Sequence, residues 1–161
     1  MAELNFAIDF AVPPNDVFVF FVPQRMPHWY GVEMDACFEV QGGAPDFAVG
    51  QKVRITGHLG SNAVTLTVVV TAYEWERLLE WRFQDSYGVK GLQRWELAPS
   101  ASGSGTRLTM RDSYEMPSAF GKFFDRVFTR RAVALRDREW LARLQRMVPQ
   151  GSADTFNQLL T

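Results

Sequence analysis

The sequence predicts an α+β fold in which an antiparallel sheet is covered by one long C-terminal helix. Three observations carry this. Residues 4–11, LNFAIDFA, alternate apolar and polar side chains. Between residues 33 and 116 turn signals recur about every dozen residues. After Pro117 the apolar spacing changes from the period of a strand to that of a helix.

In the first segment Leu4, Phe6, Ile8 and Phe10 share a face, the pattern of a half-buried strand. The next stretch, 12-VPPNDVFVFFV-22, points both ways. Its residues from Val17 to Val22 are all β-branched or aromatic, which favours a strand. Pro14 suits a helical first turn, where the missing N–H has no partner to lose, and Asn15 and Asp16 set polar and negative groups at the positive end of a helix dipole. Topology breaks the tie. As a strand the stretch would leave a sheet needing both faces covered by one helix; as a helix it can close one end of the sheet. Pro27 and Gly31 in 24-QRMPHWYG-31 bracket a further turn or single helical turn.

Six strands are predicted at about 33–41, 49–59, 62–74, 77–86, 89–98 and 105–116, separated by 42-GGAPD-46, 60-GSN-62, 74-EWER-77, 86-SYG-88 and 99-PSASGSG-105. Residues 118–148 then read as one amphipathic helix. At ~100° per residue Phe120, Phe123, Phe124, Val127, Ala134, Leu135, Leu141 and Val148 fall on one face. Ser118 suits its N-cap, and Pro149 and Gly151 end it. Residues 1–148 are therefore expected to form a single domain, with 149–161 as a tail.

Composition narrows the function. The chain has 161 residues, 47% of them hydrophobic and 22% charged, with a formal net charge of −1. Thirteen Phe, five Trp and four Tyr supply bulk to line or fill a large apolar interior. The longest apolar run, Val17 to Val22, is too short to span a bilayer. The first ten residues, MAELNFAIDF, lack the basic and apolar regions of a secretory signal. Cys37 is the only cysteine, so no internal disulfide can form. It is expected to be a small buried hydrophobe, and a cytoplasmic location is expected for the chain. Residues 122–146 carry eight basic and three acidic side chains, so the segment is +5 and the remainder −6. That charge reads as the solvated face of the helix, and no nucleic-acid motif accompanies it. His28 and His58 are isolated, which gives no metal-ligand spacing, and there is no phosphate loop or Rossmann fingerprint.

The order of these pieces resembles the SRPBCC, or START-like helix-grip, superfamily, and within it the polyketide cyclase/dehydrase and lipid-transport group. The resemblance rests on a strand running into 13-PPNDVFVFFV-22, then 25-RMPHWYG-31, 42-GGAPDFAVGQKVR-54, 68-VVVTAYEWERLLEWRF-83, 95-WELAP-99, 105-GTRLT-109 and the terminal helix, over residues 3–148. It implies a curved seven-stranded antiparallel sheet gripping the long helix, with two short helices after the first strand. It also implies a cavity between sheet and helix. The sequence departs from the family's frequent prolines before the fifth strand, where it has Glu74, Trp75 and Glu76.

By the same resemblance Trp81, Phe83 and Asp85, then Trp95, then Met110, Asp112 and Tyr114 point inward from three successive strands. Phe124, Phe128 and Arg131 face them from the helix. These ten residues are the expected ligand-binding set, with no catalytic residue assigned. Asp85, Asp112, Tyr114 and Arg131 stand out because charged and polar groups on apolar faces need partners. They could orient a ligand's oxygens or act as acid and base on an enolisable carbonyl. Alternatively, Asp85 and Asp112 lie near strand ends in water and Arg131 snorkels. Trp29 and Tyr30 are expected to pack the short turn.

Three functions stay open: a binding module for a small lipophilic molecule, a cyclase- or dehydratase-type enzyme using the same cavity, and a protein-interaction module. No cofactor, metal, nucleic acid or membrane span is expected, and a homodimer is the one protein partner considered.

Overall fold

Seven antiparallel strands form one sheet in the computed structural model, which describes residues 1–118 and 129–149. They are β1 (Ala2–Phe10), β2 (Cys37–Val40), β3 (Lys52–Leu59), β4 (Asn62–Glu74), β5 (Leu78–Asp85), β6 (Lys90–Pro99) and β7 (Thr106–Glu115), in the order β1-β7-β6-β5-β4-β3-β2. From β2 to β7 this is the predicted meander, and β1 adds at its far edge. The α+β architecture predicted from the sequence is the observed one.

That order explains the ambiguous segment. Because β1 and β2 are opposite edges, the chain between them must cross the whole width of the sheet. It does so as α1 (Pro14–Phe18) and two 3-10 turns, Met26–His28 and Val32–Met34. Val17, Phe18, Phe21, Met26 and Trp29 are fully buried along this crossing. The fat apolar residues of 17–22 therefore belong to the core, as a helix and turns rather than a strand.

The strand expected from residue 33 starts only at Cys37, because Gly31 (φ 68°) and Asp35 (φ 51°) turn the backbone left-handed around Val32–Met34. That 3-10 turn lies directly on β3. A Cβ on Gly57 would come 2.3 Å from the Met34 carbonyl oxygen, so only glycine permits this approach. Cys37 is exposed, against expectation, since β2 is an edge strand and position 37 is on its outward side.

On β4 the even residues Val64, Val68 and Val70 point inward. A bulge between Val70 and Ala72 then shifts the register, so that Tyr73 rather than Ala72 pairs with the buried Leu79. Such a bulge bends the strand and increases its twist, which helps the sheet curve.

The long helix, α2, spans Arg130–Met147 among the described residues. The predicted start near Ser118, and with it Phe120, Phe123, Phe124, Val127 and Phe128, falls in or beside residues 119–128, outside the described part. So does the tail beyond Pro149. The helix runs alongside β1: Arg130 Nη2 donates to the Glu3 carbonyl (3.1 Å) and Gln145 Nε2 to the Asp9 carbonyl (2.9 Å). Its buried face consists of Asp137, Trp140, Leu141 and Leu144, followed by Val148. Leu135, expected on that face, is 57% exposed.

Candidate functional site

Strand register arranges the inward side chains in rows across β5, β6, β7 and β1. The deepest comprises Leu79, Trp95, Met110 and Phe6. Above it stand Trp81, Gln93, Asp112 and Leu4, and above these Phe83, Gly91, Tyr114 and Ala2. The middle row is polar in a sheet face that is otherwise apolar.

Hydrogen bonds tie that row together. Trp81 Nε1 (2.9 Å) and the Tyr30 hydroxyl (2.8 Å) both donate to Gln93 Oε1. Gln93 Nε2 donates to Asp112 Oδ2 at 3.2 Å. With both acceptor positions of its oxygen filled, the Gln93 amide is held in one orientation and passes that order to Asp112. Burial pushes the Tyr30 phenol up from its ordinary value, so it remains a hydrogen-bond donor.

From α2, Arg136 Nη2 donates to Asp112 Oδ2 (2.9 Å) and to Asp137 Oδ1 (2.8 Å), and its Nε donates to Asp137 Oδ1 (3.0 Å). The guanidinium lies 4.3 Å from the centre of the Trp140 ring. Trp140 Nε1 in turn donates to Glu33 Oε2 at 2.7 Å. Burial works against the charge of Arg136, but Asp137 and Asp112 outweigh it and hold the group above its ordinary range.

The two carboxyls are almost inaccessible, Asp112 at 1% and Asp137 at 0%. Each has one oxygen, Asp112 Oδ1 and Asp137 Oδ2, with no hydrogen-bond partner. They are close enough to hydrogen-bond each other, and Asp137 is pushed up to about 8, first by burial and then by Asp112, against the pull of Arg136. A proton on Asp137 would remove a charge from this dry site and give the pair a donor.

Above this floor lies a cavity of about 320 Å³, bounded by the sheet, the Val32–Met34 turn and α2. Met34, Val64, Leu66, Phe83, Val89, Met116, Val133 and the Trp140 ring line its walls, and Leu59 and Tyr87, 46% and 56% exposed, stand at its edge. Gly91 keeps the wall thin between Phe83 and Tyr114, since a Cβ there would come 3.0 Å from Phe83 Cε1 and 2.8 Å from Tyr114 Cα.

Of the residues expected to bind, Phe83, Asp85, Asp112 and Tyr114 line this cavity. Asp85 is half-buried at the end of β5, where its Oδ1 accepts from the Tyr87 (2.8 Å) and Val89 (2.9 Å) amides. Burial pushes its carboxyl up, opposed by those backbone donors. Trp95 and Met110 are fully buried beneath the polar row and Trp81 within it, and none of the three lines the cavity. Arg131 is exposed and not part of the lining. Phe124 and Phe128 lie outside the described residues.

The sequence reading missed Tyr30, Arg136 and Trp140, all of which line the cavity. It treated Arg136 as part of a solvated charged face and Tyr30 as packing. A sequence signal for the helix face existed: Asp137, Trp140, Leu141, Leu144 and Val148 recur at helical spacing. A larger groove, about 1030 Å³, runs over the outer face of the sheet along Thr67, Arg82, Leu92 and Arg111. It is open, and none of the buried polar row lines it. Among the described residues no group of three or more His, Cys, Asp or Glu could hold a metal ion, and no helix is long and apolar enough to cross a membrane.

A family model described as polyketide cyclase / dehydrase and lipid transport matches residues 1–148. No curated protein sequence matches. Among solved structures, the chain is similar to DynU16 from the dynemicin biosynthetic locus, with 19% identity and a TM-score of 0.64. The alignment covers 89% of this chain but only 46% of DynU16, so the chain spans less than half of that protein. A Rhodobacter sphaeroides protein matches at 23% identity and TM-score 0.68, over 90% of each chain. An Arthrobacter aurescens protein matches at 17% identity and TM-score 0.69, over 93% of this chain and 87% of its own. At such identities these likenesses establish the fold.

Proposed function

The chain belongs to the polyketide cyclase/dehydrase and lipid-transport family, and on that premise we propose that it binds a small lipophilic ligand in the cavity between sheet and α2. The observation that carries this reading is the lining. Apolar walls and an exposed apolar edge surround a few convergent polar groups, the arrangement in which an apolar body is buried and one polar end is oriented. The volume, about 320 Å³, is at the small end for ligand cavities, which favours a compact molecule over a long acyl chain. The same reading takes residues 1–148 as one domain in a cytoplasmic setting, with no cofactor.

Titration with the neutral probe N-phenyl-naphthylamine tests it through quenching of tryptophan fluorescence, since Trp140 lines the cavity. Val133→Phe, which adds bulk at a lining position on α2, is expected to weaken binding about tenfold, the equivalent of ~1.4 kcal/mol. Trp75→Ala is expected to leave it unchanged, because Trp75 packs at the far end against Phe18 and donates to Asn15. Absence of probe binding by the unmodified protein would favour the protein-interaction reading instead.

One observation supports a second, enzymatic reading: Asp112 lines the cavity with Arg136 bonded to both it and Asp137, whose carboxyl is pushed up towards neutral pH by burial. In that reading Asp112 takes the α-proton of a ketone, Arg136 stabilises the enolate oxygen, and Asp112 returns a proton to carbon. An aryl methyl ketone in deuterated buffer should then exchange its methyl protons faster with protein than without, and Asp112→Asn should abolish the difference. No acceleration leaves the protein a binder.

A further inference from the structure

We propose that the cavity selects an uncharged ligand whose polar end is a hydroxyl, a phenol or alcohol that donates to Asp112, and that it excludes carboxylates such as free fatty acids. This rests on the binding reading above and names the head group that reading leaves open.

The inference starts from hydrogen-bond valence. An ionised carboxylate offers about four acceptor positions. Asp112 Oδ2 accepts from Gln93 Nε2 and Arg136 Nη2, while Oδ1 has no hydrogen-bond partner, and the residue lines the cavity. Three nearby donors have partners already: the Tyr30 hydroxyl and the Trp81 indole are used by Gln93, and the Trp140 indole by Glu33. Asp112 itself has room for one more donor, and a ligand hydroxyl is one.

Charge leads to the same conclusion. Among the described residues lining the cavity, Glu33, Asp85 and Asp112 are acidic, and Arg136 is the one cation. That guanidinium already bonds two carboxyls and stacks on Trp140. A ligand carboxylate would enter a site where acidic groups outnumber the arginine, and would displace part of an existing ion pair to gain it. A ligand cation would meet Arg136 beside Asp112. A neutral donor avoids both penalties.

Calorimetric titration at neutral pH with para-butylphenol, para-butylanisole and para-butylbenzoate separates the cases, because the three share a body and differ in the head. A hydrogen bond to a charged acceptor is worth about 1.5–3 kcal/mol, so the phenol should bind about tenfold or more tighter than the anisole, which cannot donate. The benzoate should be the weakest. Asp112→Asn should narrow the phenol's advantage and strengthen the benzoate, since it removes the carboxylate and frees Arg136. Benzoate binding as tightly as the phenol in the unmodified protein would overturn the proposal, as would an anisole of equal affinity. Either result would leave the cavity itself standing as a binding site. Failure of all three to bind would remove the binding reading, and this inference with it.

Discussion

Asp137→Asn is expected to flatten a fall in stability that the unmodified protein should show between about pH 6 and about pH 8. In the folded chain the Asp137 carboxyl is pushed up to about 8, because burial and the neighbouring Asp112 disfavour its charge and outweigh Arg136. An unfolded aspartate releases the same proton near about pH 3.9. Between those values the folded state binds more protons, so stability declines as pH rises and the loss is complete above the folded value. Asparagine keeps a hydrogen to donate to Asp112 and carries no charge at any of these pH values.

Other shifted groups do not confuse the comparison, because Asp85, whose carboxyl is also pushed up, is present in both proteins and the rest act outside the range. Glu74 and Glu80 are held below the usual carboxylate range, Glu74 chiefly by its hydrogen bond from Arg77. For Glu80 burial acts the other way and is outweighed by hydrogen bonds from Arg94 and Thr71. Both contribute fully before pH 6 is reached. The Tyr73 phenol, pushed up to about 12 by burial, matters only in stronger alkali. Melting temperatures of the two proteins should diverge by at least about 2 °C across the range, the equivalent of ~1 kcal/mol for a domain of this size. Parallel curves would mean that Asp137 holds no proton in this range.

Trp95→Ala is expected to cost about 3–5 kcal/mol of stability, the range for removing a buried aromatic side chain. The ring is fully buried and packs at 4.9 Å from Trp81, 5.9 Å from Tyr30 and 6.2 Å from both Phe21 and Trp29. Its deletion opens a hole where the crossing segment meets the sheet, one row below the ligand cavity. As a member of the ligand-binding set expected from the sequence, Trp95 would on truncation enlarge the pocket and alter affinity. With Trp95 beneath the polar row, the main effect should appear in urea denaturation, with probe affinity nearly unchanged while the protein is folded. A stable variant with much altered affinity would place Trp95 back at the ligand.

Much of the fold was legible because its elements follow local rules. The alternation of Leu4, Phe6, Ile8 and Phe10, the glycine- and proline-marked turns and the loss of strand period after Pro117 each reflect a short-range preference of the backbone. The inward faces of β5 to β7 were legible too, since none of these three strands carries a bulge that would invert a face. What could not be read was depth along those faces. Trp81, Trp95, Met110, Asp112 and Tyr114 share an inward side, but only register shows that the tryptophans and the methionine sit below or within the polar row. The helix face was misplaced for a different reason. A wheel weighted by hydrophobicity counts Leu135 and ignores Asp137, and the buried carboxyl belongs inside only because Arg136 and Asp112 meet it there. Long-range partners decided the site, and no local pattern encodes them.

The central claim is that a lipophilic ligand enters the space between sheet and α2, and intermolecular NOEs to bound para-butylphenol test it most directly. The account predicts contacts from the butyl and ring protons to the methyl groups of Leu66 and Val133 and to Met34, all of which line that cavity. NOEs confined to Val69 and Leu92, in the groove on the outer face of the sheet, would contradict it.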